Sequence, residues 1–282
     1  MTDRPPVELQ GEALVVEERA AARDGPSRIL VTNDDGIDSP GIHAVADRLS
    51  RDHTVVVVAP NEDMSGTGTG IGRFDPAAGV ELTRVEKEAY EAWTVAGPPG
   101  LAVLAAMLGA FGPAPNLVVS GINAGINTGR SIIHSGTVGA ALTARSLGAS
   151  GLAVSLASSR PWHWETAAEI ACSAVRWVRA QRGPSLVLNV NVPGLPLSDV
   201  RGIHWADLDE FGYVRIALPN PSGSLLEFAV RGSGGGLDPG SDTAMCLDGY
   251  ATITLLSTVQ PAPFPSDPAT AIWDPEEFRA TG

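Results

Sequence analysis

Cysteine is scarce: Cys172 and Cys246 are the only two in 282 residues. Two thiols without a CxxC spacing exclude a disulfide framework. Cys172 lies in an apolar helical pattern that suits a buried thiol, so the cytoplasm is the expected compartment. Positive charge is also short. Lys and Arg number 19 against 32 Asp and Glu, for a net charge of −13. That balance leaves no basic stripe for binding polymeric nucleic acid through counterion release. A small phosphate ester is not excluded, because one cation and a few backbone N–H groups hold a phosphate locally. No apolar run is long enough to span a bilayer, so no membrane partner is expected. The N-terminal stretch lacks a basic region followed by an apolar run and reads as a polar extension over 1–27, not a secretory signal. Charged residues amount to only 18%, whereas 44% hydrophobic residues supply a core and 32 Gly with 22 Pro promise shaped loops.

What is present has a βα rhythm. Arg28–Thr32 is a short apolar run stopped by Asn33-Asp34-Asp35-Gly36, the pattern of a buried strand meeting a turn. Ser39-Pro40 opens a helix to about Arg51, and Thr54–Ala59 is a β-branched run suited to a central parallel strand. Strands follow at Val80–Val85, Trp93–Val95, Asn116–Ser120, Leu152–Leu156 and Leu186–Asn191, and helices at Gly100–Leu108, Thr137–Leu147 and Glu165–Arg179. Such alternation predicts an α/β fold: a Rossmann-like three-layer core over 28–193 with a mainly parallel sheet. Beyond Pro193 the rhythm changes. His204–Leu218 and Leu225–Val230 predict antiparallel hairpins, Ser233–Gly240 a Gly-rich loop, and Tyr250–Ser257 a last strand, within a C-terminal extension over 194–282.

Open α/β sheets bind ligands beyond the carboxyl ends of their strands, so the loops after each strand are where chemistry is sought. The first carries Asp34-Asp35. Adjacent carboxylates repel each other, and a hard divalent cation relieves the repulsion, although Asp-Asp-Gly alone is also an ordinary turn. The second loop, Pro60–Gly72, offers the Ser65 hydroxyl as a metal ligand and Gly66 for close approach of a phosphate; its later part, Thr67–Gly72, also reads as a flexible linker. Its Gly68-x-Gly70-x-Gly72 run opens no helix and lacks an acidic ribose partner, so it is a poor dinucleotide fingerprint. The third loop, Gly121–Thr137, brings Asn123 and Asn127, each with an amide oxygen for a metal or an N–H₂ for a phosphate. Ser135, Gly136 and Thr137 begin a predicted helix, where free N–H groups suit an anion and where Ser or Thr also serves as a plain cap.

These blocks resemble the SurE family of nucleotidases. Ile29–Gly41 (ILVTNDDGIDSPG), Ala59-Pro60 with Ser65-Gly66, and Ser120–Gly139 (SGINAGINTGRSIIHSGTVG) are similar to that family's three signature blocks in order. The resemblance implies hydrolysis of phosphomonoesters, usually nucleoside 5′- or 3′-monophosphates, with one Mg²⁺ or Mn²⁺ per subunit. It implies Asp34, Asp35, Ser65 and Asn123 as metal ligands. Asn127, Ser135, Gly136 and Thr137 then face the phosphate. It also implies a homodimer or homotetramer. Asp34, Asp35 and Asn127 are the candidate catalytic residues, with Asp34 acting as nucleophile or as general base toward water.

Two positions depart from the family pattern. His134 stands where relatives usually carry Tyr, and Gly97-Pro98-Pro99-Gly100 lacks their polar residues. Both bear on the leaving-group side. His134 is a candidate substrate-binding residue or proton donor, and otherwise replaces one partly apolar ring by another. Gly240-Ser241-Asp242-Thr243 is similar to the family's Gly-Thr-Asp loop, with Asp242 positioning a neighbouring loop or the substrate, or else lying in a surface turn. The other histidines have no zinc-like spacing. Three other functions compete. A haloacid-dehalogenase-like phosphatase needs an Asp where Asn33 stands. A non-catalytic nucleotide-binding module leaves the Asp pair unexplained. A phosphatase specialised for another metabolite fits the altered leaving-group side.

Overall fold

The computed structural model describes residues 26–73, 79–210, 214–217, 229–232 and 237–259. Most of the polar extension, the Gly-rich run at 233–236 and the tail from 260 onward lie outside them. In chain order the elements are β1 (Arg28–Thr32), α1 (Pro40–Leu49), β2 (Thr54–Pro60), β3 (Leu82–Val85), β4 (Glu91–Val95), α2 (Pro99–Met107), β5 (Leu117–Ala124) and α3 (Gly136–Ser146). Then come β6 (Ser150–Leu156), α4 (Trp164–Ala180), β7 (Val187–Val192), β8 (Ile203–Trp205), β9 (Val214–Ala217), β10 (Ala229–Gly232), α5 (Asp242–Leu247) and β11 (Ala251–Leu256).

The sheet has nine strands in the order β3-β4-β2-β1-β5-β6-β7-β11-β8. From β4 to β7 all neighbours are parallel, while β3 and β11 join antiparallel to β4 and β7. Alternate residues of the fully buried strands face different helices. Ile29, Val31, Val55 and Val57 pack with α1 and α4, and Leu30, Val56 and Val58 pack with α2 and α3. A β-branched run with no polar alternation forms a strand because both faces are covered. The chain runs from β1 to β2 on one side and returns to β5 on the other, so the direction of winding reverses between β1 and β5. At such a switch point the flanking loops diverge and leave a crevice beyond the strand ends.

Helix starts differ in how they are closed. Ser39 caps α1 by position without a side-chain hydrogen bond, whereas Ser135 accepts the Val138 N–H at 3.2 Å. Three sequence expectations change. β5 does not stop at Ser120 but continues to Ala124 after a shift in register, because Asn123 and Ala124 still pair with Ser155 and Leu156 of β6. His204 belongs to β8, an edge strand parallel to β11; the antiparallel hairpin joins β9 and β10 in a separate two-stranded sheet. Asp242 starts a short helix and is fully buried, so it is no surface turn. Cys172 and Cys246 are buried free thiols, and among the described residues no helix is long and apolar enough to cross a membrane.

Close backbone approach sets the spacing of these layers. A Cβ at Gly151, at the start of β6, would lie 2.1 Å from the backbone oxygen of Ala141 in α3. Neither partner is a flexible side chain that can move aside. Gly151→Ala is expected to destabilise the protein by about 1–3 kcal/mol through overpacking. Urea unfolding should give a lower midpoint with an unchanged slope.

Candidate active site

The loops after β1, β2 and β5 meet at the crevice. Asp34 follows β1 and is buried. Its Oδ2 accepts the Thr137 backbone N–H at 3.1 Å, and its Oδ1 accepts the Thr137 hydroxyl in a very short hydrogen bond. Thr137 also lies 3.3 Å through Oγ1 from Oδ1 of Asn123. The Asn123 amide donates its Nδ2 hydrogen to the Gly125 carbonyl at 2.7 Å, which turns its oxygen toward Thr137 and Asp34. Gly136 is needed beside them, since a Cβ there would stand 2.7 Å from Asp34 Oδ2.

Asp35 is half-buried and bonded differently. It takes a backbone hydrogen bond from Ala124, while its Oδ2 is buried with no hydrogen-bond partner. Burial, then the charge of Asp34, then that of Asp63 push its carboxyl up to about 6. Burial also raises Asp34, against the hydrogen bonds from Thr137. Two carboxylates that resist ionisation side by side, one with an uncommitted oxygen, suit a hard divalent cation. The neutral oxygen of Asn123 lies beside Thr137, and the Ser65 hydroxyl is bonded to Asp63 on the β2 loop.

The β2 loop is anchored at several points. Met64 N–H donates to the Asp34 carbonyl at 2.7 Å, Thr67 Oγ1 to the Met64 carbonyl at 2.9 Å, and Gly68 N–H to the His134 carbonyl at 3.1 Å. A Cβ at Gly139 would sit 1.9 Å from the Gly68 oxygen, and one at Gly100 2.7 Å from the Gly70 oxygen. The stretch Thr67–Gly72 is therefore a packed wedge between α2 and α3, not a linker. Gly100 serves that packing, which accounts for the second of the two glycines in the Gly97–Gly100 segment. Ser65 is exposed and bonds to Asp63, Gly66 has φ +84° with open space around it, and the His134 ring is exposed.

Asn127 is clamped from below. Its N–H donates to Asn191 Oδ1 at 2.8 Å, its carbonyl accepts from Nδ2 of both Asn189 and Asn191 at 2.8 Å, and its own Nδ2 donates to Ser155 Oγ at 2.9 Å. Asp242 holds the next turn: its Oδ2 accepts Gly129 N–H at 2.9 Å, and its Oδ1 accepts Asp209 N–H at 2.9 Å and Thr243 N–H at 2.8 Å. Asp34, Asp35, Asn123, Gly136 and Thr137 are thus brought together. Ser65 follows Met64, whose N–H bonds the Asp34 carbonyl, and its hydroxyl is turned to Asp63; Ser135 caps α3 beside them. Asp63, Asn189, Asn191 and Ser155 were not singled out from sequence. Two asparagines two residues apart in the apolar run Leu186–Val192 place both amides on one buried face, and that was the available signal.

Comparison with known proteins agrees with this geometry. The family model described as survival protein SurE matches residues 29–214. The 5′-nucleotidase SurE of Pseudomonas entomophila (strain L48) is 39% identical over 236 residues, covering 81% of this chain and 91% of that protein. The 5′/3′-nucleotidase SurE of Escherichia coli O127:H6 is 36% identical over 234 residues, covering 81% and 89%. The crystal structure of the SurE protein from Aquifex aeolicus superposes with a TM-score of 0.70 at 29% identity, covering 87% of this chain and 98% of that one. With matched segments running through all three loops of the crevice, the chain belongs to the SurE family.

Proposed function

We propose that this chain is a divalent-metal-dependent phosphomonoester hydrolase that releases phosphate from nucleoside 5′- or 3′-monophosphates. The observation that carries the proposal is the Asp34–Asp35 pair, Asp34 buried and Asp35 half-buried with its Oδ2 unpartnered, beside the N-terminal turn of α3 at the switch-point crevice. The nucleotidase names of relatives across most of the chain support the substrate class. Asp34, Asp35, Ser65 and Asn123 are the residues to hold Mg²⁺ or Mn²⁺. Such a cation, when bound, offsets charge on a phosphoryl oxygen and on the carboxylates around it.

The chain's own groups supply the positioning. Ser135 Oγ satisfies Val138 N–H and Asp34 satisfies Thr137 N–H, leaving the Gly136 N–H at the head of α3 for a phosphate oxygen. Asn127, immobilised by Asn189, Asn191 and Ser155, borders the same space with an amide of fixed orientation. Orientation of this kind is the principal means by which phosphoryl transfer is accelerated. Both oxygens of Asp34 are bonded to Thr137, which fixes the carboxylate while each oxygen keeps a second lone pair, and we assign Asp34 the role of nucleophile or of general base toward water. Buried reduced thiols suit a cytoplasmic setting, and we expect a homodimer or homotetramer, as in the family.

Phosphate release from nucleoside monophosphates, a sugar phosphate and an aryl phosphate, with Mg²⁺, Mn²⁺ or EDTA, tests the proposal. Hydrolysis of nucleotides that EDTA abolishes is expected, and Asp34→Asn and Asp35→Asn should each lower kcat/KM by about 10²–10³-fold. No cleavage of any ester with either metal sinks the enzyme assignment. Poor nucleotide turnover beside good turnover of another ester transfers the scaffold to a different metabolite.

The charge pair has a separate signature in metal-free protein. Burial and the neighbouring carboxylates push the folded Asp35 carboxyl up to about 6, above the ordinary aspartate value of 3.8. Between those pH values the folded state binds the extra proton, so stability falls as pH rises through the window. In EDTA, the thermal midpoint of Asp35→Asn should exceed that of wild type at pH 7.5 and approach it near pH 4. An equal offset at both pH values refutes the burial account.

A further inference from the structure

Asp63 is exposed, yet it is the hub of the turn that carries Ser65. Its Oδ1 accepts the Ser65 backbone N–H at 2.8 Å and the Ser65 hydroxyl at 2.6 Å. The turn is fixed to the carboxylate pair by the bond from Met64 N–H to the Asp34 carbonyl and by Thr67 Oγ1 on the Met64 carbonyl. Asp63 is close enough to be felt electrostatically by both Asp34 and Asp35.

A serine hydroxyl has one proton and two lone pairs. To ligate a cation it must aim a lone pair inward and its proton elsewhere. An unconstrained hydroxyl rotates among three staggered positions, one of which aims the proton at the cation. A carboxylate that takes the proton removes that freedom, and a charge-assisted bond of 2.6 Å also makes the oxygen a better donor. Groups that orient a ligand from behind in this way commonly govern metal affinity as strongly as some ligands do.

We infer that Asp63 is a positioning residue that takes the proton of Ser65 and so holds its hydroxyl as a lone-pair donor toward the cation attracted by Asp34 and Asp35. The inference rests on the metal site proposed above. Its effect is on cation binding, whichever ester is hydrolysed.

Calorimetric titration of Mn²⁺ into metal-free wild type, D63A, D63N, S65A and the D63A/S65A double variant tests it. D63A should weaken Mn²⁺ binding by about 10–100-fold. S65A should lose a similar factor, and the double variant should bind no more weakly than the weaker single one, because Asp63 acts through Ser65. D63N keeps an oxygen acceptor and should retain most of the affinity. Melting midpoints in EDTA should match wild type, since both side chains are exposed. Wild-type affinity in D63A overturns the inference. So do losses from D63A and S65A that multiply in the double variant, or a D63N loss as large as that of D63A, either of which makes Asp63 a bare charge. Wild-type protein that takes up no Mn²⁺ instead overturns the metal site itself.

Discussion

Thr137 donates two hydrogen bonds to one carboxylate, Asp34, and the rest of the site is arranged around that contact. It joins the end of β1 to the start of α3, elements 103 residues apart in the chain. For the helix to come so near, position 136 must lack a side chain, because a Cβ there meets Asp34. Position 139 must lack one too, because the Gly68 carbonyl occupies its place. The β2 loop is consequently trapped between the helix and the first strand, and Ser65 is held near the acidic pair by the same closure. One contact thus explains two glycine positions and the trapping of the β2 loop.

Much of this could be read in advance because a strand buried on both faces is written as an uninterrupted β-branched run, and the residues that follow such a run are the mouth of the sheet. Asp34-Asp35, Ser65 and Asn123 were found that way. Boundaries were less legible where tertiary pairing overrode local chemistry. Gly121 reads as the end of a strand, but β6 continues beside it and offers partners to Asn123 and Ala124. The short strand Ile203–Trp205 reads as half of a hairpin, yet it pairs with β11, whose sequence lies some way beyond it. Asp63 was passed over because an Asp in a turn is common. Its meaning comes only from the direction of the Ser65 hydroxyl, and no spacing rule encodes that.

Buried polar groups elsewhere in the fold give a scale for judging the crevice. Asn189 and Asn191 sit on the one face of β7 that an apolar strand would give to packing, and they are fully buried. Their amides hold the Asn127 backbone, so the cost of burial is offset by bonds that would otherwise be left unmade in the loop. The clamp fixes from beneath the loop that carries Asn127 and the direction of its amide.

Asp242 is the most telling comparison. Like Asp34 it is a buried aspartate close to the crevice, and burial raises both carboxyls. Asp242 is surrounded by three backbone N–H donors, which suffice to hold a charge with no cation. Asp34 has Thr137 as its one outside partner besides its own backbone N–H, and Asp35 has a buried oxygen with none. The supply of hydrogen falls away across the short distance from the supporting loop to the centre of the crevice. A chain that surrounds Asp242 with three backbone donors gives Asp35 the Ala124 N–H and leaves its buried Oδ2 without a partner, and that oxygen is what the proposed divalent cation would satisfy.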